Sequence, residues 1–135
     1  INPFPVPAYE QTKEAQRIIE NLVNFLLYLH DESNVNIFSH TSNLRIATHI
    51  EEIIDMVIYE LYFEKEMKEN GIDVISNLDA YSFKEITDYE AIKDFYLWYQ
   101  SSENTIRQKI LLLETRSKEK LYLIHSTATT YEQNK

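Results

Sequence analysis

Apolar residues recur at helical spacing along most of this chain. From about Tyr9 to Leu29, one face of a 3.6-residue period collects Ala15, Ile18, Ile19, Leu22, Val23, Leu26 and Leu29. Lys13, Gln16, Arg17, Glu20 and Asn24 take the opposite face. The pattern stops at His30–Asn43, HDESNVNIFSHTSN, where Asp, Ser and Asn predict a loop. Val35, Ile37 and Phe38 are expected to tuck inward there, and the tip to be loosely held. The strongest amphipathic stretch follows, His49–Gly71, ending on the only glycine. Its helix is expected to begin near Leu44, capped by Ser42 or Asn43. Ile46, Ala47, Ile50, Ile53, Ile54, Val57, Ile58 and Leu61 form a wide stripe, with Met56 and Phe63 as a second patch. Thr48, Glu51, Glu52, Asp55 and Tyr59 face away. Glu60 sits at the stripe's edge, where a carboxylate needs a partner or a route to solvent. Residues 64–70 read equally as a continuation or as a separate short helix, terminated by Gly71.

Farther on, Ser82 with Glu85 and Thr87 with Glu90 both have capping-box spacing. The second is preferred, since Tyr89, Ile92, Phe95, Tyr96 and Tyr99 then share a face. Ser101–Ser102 marks a break, and a helix over about Glu103–Thr115 turns Ile106, Ile110 and Leu113 inward. A last helix is expected over Lys118–His125, with a frayed tail over 126–135. At the other end, INPFPVPAY places Pro3, Pro5 and Pro7 in an extended lead over 1–8, read as a strap across the core rather than a ligand for an SH3-type domain. The resulting expectation is an all-α fold: a single domain over 1–135, built as a bundle of four or five helices.

Composition narrows the classes. Hydrophobic residues make up 44% and aromatics 13%, which argues against disorder, and 135 residues suffice for one core. One glycine and three prolines leave few sites for hairpins. The absence of cysteine excludes disulfides and thiolate metal sites and suggests a reducing, cytoplasmic setting. No apolar run approaches the roughly 18 residues of a membrane span. The first residue is Ile1, not Met, so the chain is expected to be an excised piece or a processed product.

The net charge of −9 disfavours a free-standing nucleic-acid binder, but the charge is uneven. Residues 1–95 carry 7 Lys/Arg against 18 Asp/Glu, a net −11, whereas residues 96–135 carry 6 against 4, a net +2. Arg107, Lys109, Arg116, Lys118 and Lys120 are therefore the candidate phosphate contacts. The plainer reading is a solvated helix end whose cations suit the helix dipole. The acidic set Glu51, Glu52 and Asp55, joined by Tyr59 and Tyr62, is a candidate docking face, and a merely solvated face is its plainer counterpart.

Other chemistry is thin. His30, His40, His49 and His125 lack metal-ligand spacing and read as loop and surface histidines. Seven aromatics between Tyr81 and Tyr99 could stack on bases, but acidic residues outnumber Lys84 and Lys93 there, which favours core packing. Arg45-x-x-x-His49 is similar to the Arg/His pair of HEPN-class helical ribonucleases, one residue short of that class's usual minimum spacing. Acid–base catalysis by the pair would also need a pocket.

The segment Ile50–Asp73, IEEIIDMVIYELYFEKEMKENGID, resembles the region near the C-terminus of type IIG-like restriction-modification enzymes, in which an adenine-specific DNA methyltransferase is fused to endonuclease and target-recognition parts. The Pro-rich lead NPFPVP, the helix over Gln16–Leu29, the core Ile54–Phe63 and the stretch ENTIRQKI, Glu103–Ile110, resemble that region in order. The likeness spans Asn2–Leu123, and its specific part is the central core. Glu64 departs from it where relatives often carry proline, which leaves the helix break open. The family's Asn-Pro-Pro-Tyr motif, glycine-rich methyl-donor loop and nuclease carboxylates are absent from this chain.

The resemblance implies a non-catalytic helical module with no cofactor of its own. S-adenosylmethionine and Mg2+ would belong to the parent enzyme, and the remainder of that protein, with DNA reached through it, would be the partners. A stand-alone protein–protein interaction module meeting a basic partner through Glu51, Glu52 and Asp55 is the alternative. A helical nuclease using Arg45 and His49 is the third reading.

Overall fold

The computed structural model describes residues 9–85, 88–101 and 104–116, and it is all-α. Helix α1, Tyr9–His30, buries Ala15, Ile18, Leu22, Phe25 and Leu29, a 3-4-3-4 spacing that keeps one narrow line of side chains against its neighbours. Val23, expected inward, is 39% exposed, because it lies one 100° step past Leu22, and Phe25 fills the core position instead.

The loop that follows is held at several points. Asp31 accepts from Ser33 N and Oγ, and Asn34 Nδ2 donates to Tyr28 O, so the turn after α1 closes on itself. The Ser33 hydrogen bonds also hold the Asp31 carboxyl below the usual range. Ile37 is buried and Phe38 half-buried, as expected, whereas Val35 is exposed. The buried Asn43 accepts from Ile37 N at 2.9 Å and donates to Val35 O at 3.0 Å. Tyr89 Oη donates to Ile37 O at 3.0 Å. Instead of the loose tip expected from composition, the loop is held by its own Asp31, Asn34 and Asn43 and, from α5 (Tyr89–Gln100), by Tyr89.

Helix α2, Asn43–Tyr62, is the centre of the fold and packs against α1, α6 (Thr105–Arg116) and the short α3 (Glu64–Glu69). Ser42 caps it, accepting from Arg45 N. Ile46, Ala47, Ile50, Ile53, Met56 and Val57 are buried, while Ile58 is 38% exposed and Ile54 only half-buried. The stripe is therefore rotated toward Met56 relative to the sequence reading. Phe63, with φ −129° and ψ 41°, breaks the helix, and residues 64–69 form the separate α3. At its end Ile72 N donates to Met67 O and Gly71 N to Lys68 O, a Schellman arrangement that needs the positive φ of Gly71, 66°.

Helix α4, Ile75–Ala80, was not foreseen. Its start answers the question of Glu60: this 2%-exposed carboxylate accepts from Val74 N and from Ile75 N at 3.0 Å. Arg17 of α1 pairs with Asp79 of α4. Helix α5, Tyr89–Gln100, is capped by Asp88, which accepts from Ala91 N; Thr87 lies outside the described residues. It buries Ala91, Ile92, Phe95, Tyr96 and Tyr99. Ring contacts join Phe25, Tyr81, Phe83, Phe95 and Trp98 at centroid distances of 4.7 to 6.0 Å, so most of the aromatic run is core. Asn104 then joins α5 to α6: Nδ2 donates to Trp98 O and Oδ1 accepts from Ile106 N, each at 3.0 Å. Six helices are described: α3 settles the open reading of residues 64–70 in favour of a separate helix, and α4 is the addition to the four or five expected. The Pro-rich lead over 1–8, the expected helix over Lys118–His125 and the tail lie outside the described residues. No described helix is long and apolar enough to cross a membrane.

Candidate functional site

The pinned loop does more than close the fold. Asn43 and Tyr89 fix Ile37, and the next residues, Phe38 to Thr41, are carried over the first turns of α2 toward α5. Between them lies a cleft of about 470 Å³. Phe38, His40 and Thr41 form the loop wall, and Arg45 and His49 the α2 wall. Tyr96, Leu97 and Gln100 of α5 close the far side with Arg107 of α6. Its volume falls in the range of small-molecule sites.

The lining is cationic and aromatic, with no carboxylate among the described residues. Arg45 and Arg107 are exposed. Arg107 Nη1 donates to Gln100 Oε1 at 2.9 Å, which orients its guanidinium beside the cleft. The rings of Phe38 and Tyr96 lie 5.6 Å apart, and His49 stands 5.9 Å from both Tyr96 and Tyr99. Glu52 approaches His49 Nδ1 at 3.9 Å from outside the lining, and its side chain is 46% exposed, so water screens its charge. Burial first, then the charge of Glu52, pushes the Tyr99 hydroxyl up to about 12. Among the described residues, two buried side-chain polar atoms have no hydrogen-bond partner, Thr41 Oγ1 and His49 Nδ1, and both belong to residues of this cleft. Buried polar groups are nearly always paired, so two orphans in one place mark it out.

The basic residues singled out in the sequence separate here. Arg107 reaches the cleft. Lys109 turns into the fold, donating to Asp73 O at 2.5 Å and Asn77 Oδ1 at 2.9 Å, and so ties α6 to the start of α4. The side chain of Arg116 and all of Lys118 and Lys120 lie outside the described residues. The acidic face is also divided. Glu51 sits 3.6 Å from His30 of α1, while Glu52 flanks the cleft. Asp55 and Tyr62 are exposed and Tyr59 half-buried; burial and then Asp55 raise the Tyr59 hydroxyl above its ordinary range. Among the described residues no group of three His, Asp or Glu could hold a metal ion.

Arg45 and His49, one helical turn apart, were the only part of the cleft visible in the sequence as a pair. His40 and Thr41 read as loop, Tyr96 as core, and Gln100 carried no signal. Their convergence depends on Asn43 holding the loop, a contact between residues whose spacing suggests nothing. No protein-family model, curated protein or solved structure matches this chain.

Proposed function

We propose that this chain is a non-catalytic helical module of a DNA restriction-modification protein, scaffolding or extending its target-recognition part. The sequence resemblance over Ile50–Asp73 motivates the reading. The single structural observation that supports it is the outward face of α2. Ile58 and Tyr62 are 38% and 42% exposed there, beside exposed Asp55 and half-buried Tyr59, on the helix that otherwise anchors the core. Apolar and aromatic surface interleaved with carboxylates is the mixed character of an interface within one protein. In this reading S-adenosylmethionine and Mg2+ serve the parent's catalytic parts. DNA-backbone contacts fall to Arg107, with Arg116, Lys118 and Lys120 beyond the described side chains.

These 135 residues hold no cysteine, so a single Ile58→Cys thiol is a unique label among them, read in any longer product by mass spectrometry of its own peptide. Its alkylation rate is measured in the chain alone and in the full-length gene product. Docking through α2 requires a rate at least about tenfold slower in the full-length protein, since local opening must precede reaction. Equal rates would reject it. A stand-alone interaction module would instead meet a basic partner through Glu51, Glu52 and Asp55, and a gene encoding no methyltransferase motif upstream would favour that alternative.

A further inference from the structure

We propose that the cleft between the Phe38–Thr41 loop, α2, α5 and α6 binds a phosphate ester carried on a planar ring, the chemistry of a mononucleotide. This goes beyond the scaffold reading and does not depend on it.

Three observations converge. The first is charge. The chain as a whole carries −9, yet Arg45 and Arg107 meet at one cleft with no lining carboxylate among the described residues. Among the described residues the Arg45 guanidinium has no ion-pair partner, and Arg107 is oriented by a neutral amide instead of being neutralised. Guanidinium groups match phosphoryl oxygens in bidentate geometry. The positive end of the α2 dipole lies at the same edge, beside Ser42 and Thr41.

The second is shape. Half-buried Phe38 packs on buried Tyr96 and forms an aromatic wall, and Leu97, 52% exposed, continues the apolar rim. A flat heterocycle suits such a slot, and a volume of about 470 Å³ suits one nucleotide, not a strand.

The third is unsatisfied hydrogen bonding. The Thr41 hydroxyl and the His49 imidazole each hold a buried polar atom without a hydrogen-bond partner, Glu52 standing 3.9 Å from His49 Nδ1. A bound phosphoryl group offers several acceptors for such donors. Gln100 gives its oxygen to Arg107, and its amide N–H groups have no partner among the described residues. They can donate to the polar edge of a base, which a plain phenyl ring lacks. That difference favours a nucleotide over a phosphotyrosine side chain.

The test is isothermal titration of the intact chain with AMP, adenosine, inorganic phosphate and free phosphotyrosine. AMP is expected to bind with Kd of about 1 mM or tighter, and adenosine and phosphate at least about tenfold more weakly. The double variant Arg45→Ala/Arg107→Ala should weaken AMP by at least about tenfold at unchanged Tm, since both side chains are exposed and each charge-assisted bond is worth that much. Leu97→Glu, another exposed position, should weaken AMP similarly by placing a carboxylate at the rim. No heat with AMP at about 5 mM would overturn the proposal, as would variants that bind like the wild type. Phosphotyrosine binding more tightly than AMP would overturn it in favour of a phosphopeptide site. A 5′-phosphorylated oligonucleotide binding more tightly than both AMP and its unphosphorylated form would support the phosphate-ester chemistry, with a strand end as its source.

Discussion

Burying the Glu60 carboxyl costs desolvation, which the amides of Val74 and Ile75 offset only in part. The balance holds its pKa above the ordinary carboxylate range, burial outweighing the two hydrogen bonds, with nearby Asp73 adding to the rise. The fold therefore binds this proton more tightly than the unfolded chain does. That contribution is complete below the unfolded value, near 4.5, and is lost as pH rises through the raised folded value. Glu60→Gln keeps an acceptor without the charge. The wild type should lose stability relative to Glu60→Gln as pH rises above about 4.5, as urea titrations at several pH values would show. Glu60→Ala should cost about 2 kcal/mol or more across that range, because two buried amides lose their acceptor. Tyr99 acts at the alkaline end. Its hydroxyl is pushed up to about 12, so its contribution disappears as pH rises above the unfolded value near 10. Tyr99→Phe should flatten the loss of stability between about pH 10 and 12 in the same titrations. The sequence identified Glu60 as a problem but not its solution, because the donors lie 14 and 15 residues away on a helix too short to announce itself.

At the scale of elements, legibility followed length. Helices α1, α2, α5 and α6 span 12 to 22 residues, enough turns for the apolar period to stand out, and their ends fell within a few residues of expectation. Helices α3 and α4 have six residues each, under two turns, and periodicity cannot register there. The orientation of a broad stripe was also underdetermined. Eight apolar residues on α2 permit several rotations, and packing chose the one that buries Met56 and turns Ile58 outward. The cleft was legible as the pair Arg45 and His49, since α2 carries both, and separately as the basic Arg107. Its remaining walls come from three other segments held in place by side-chain amides. Asn104 is the clearest of those amides, capping α6 while bonding the last turn of α5. Asn104→Ala should lower stability by about 1–2 kcal/mol in a denaturant melt, whereas Asn104→Asp, which keeps the cap acceptor, should recover part of it. A neutral result for the alanine variant would mean that the α5–α6 junction is held by packing alone.

For the whole molecule, charge sets the scale of any encounter with DNA. A net −9 repels a polyanion, and the cationic cleft at Arg45 and Arg107 is local, with Lys109 turned inside the fold. The chain is therefore expected to need the rest of its protein to reach a duplex, which is the substance of the scaffold reading. In that larger protein Arg107→Ala should reduce the slope of log K against log salt by roughly one if Arg107 meets a backbone phosphate. An unchanged slope would remove that contact from the account. The most direct measurement is the affinity of the chain alone for duplex DNA of varied sequence at physiological salt, read by fluorescence anisotropy. The account predicts no sequence-specific binding and a Kd no tighter than about 10 μM. Submicromolar binding that discriminates between sequences would contradict it.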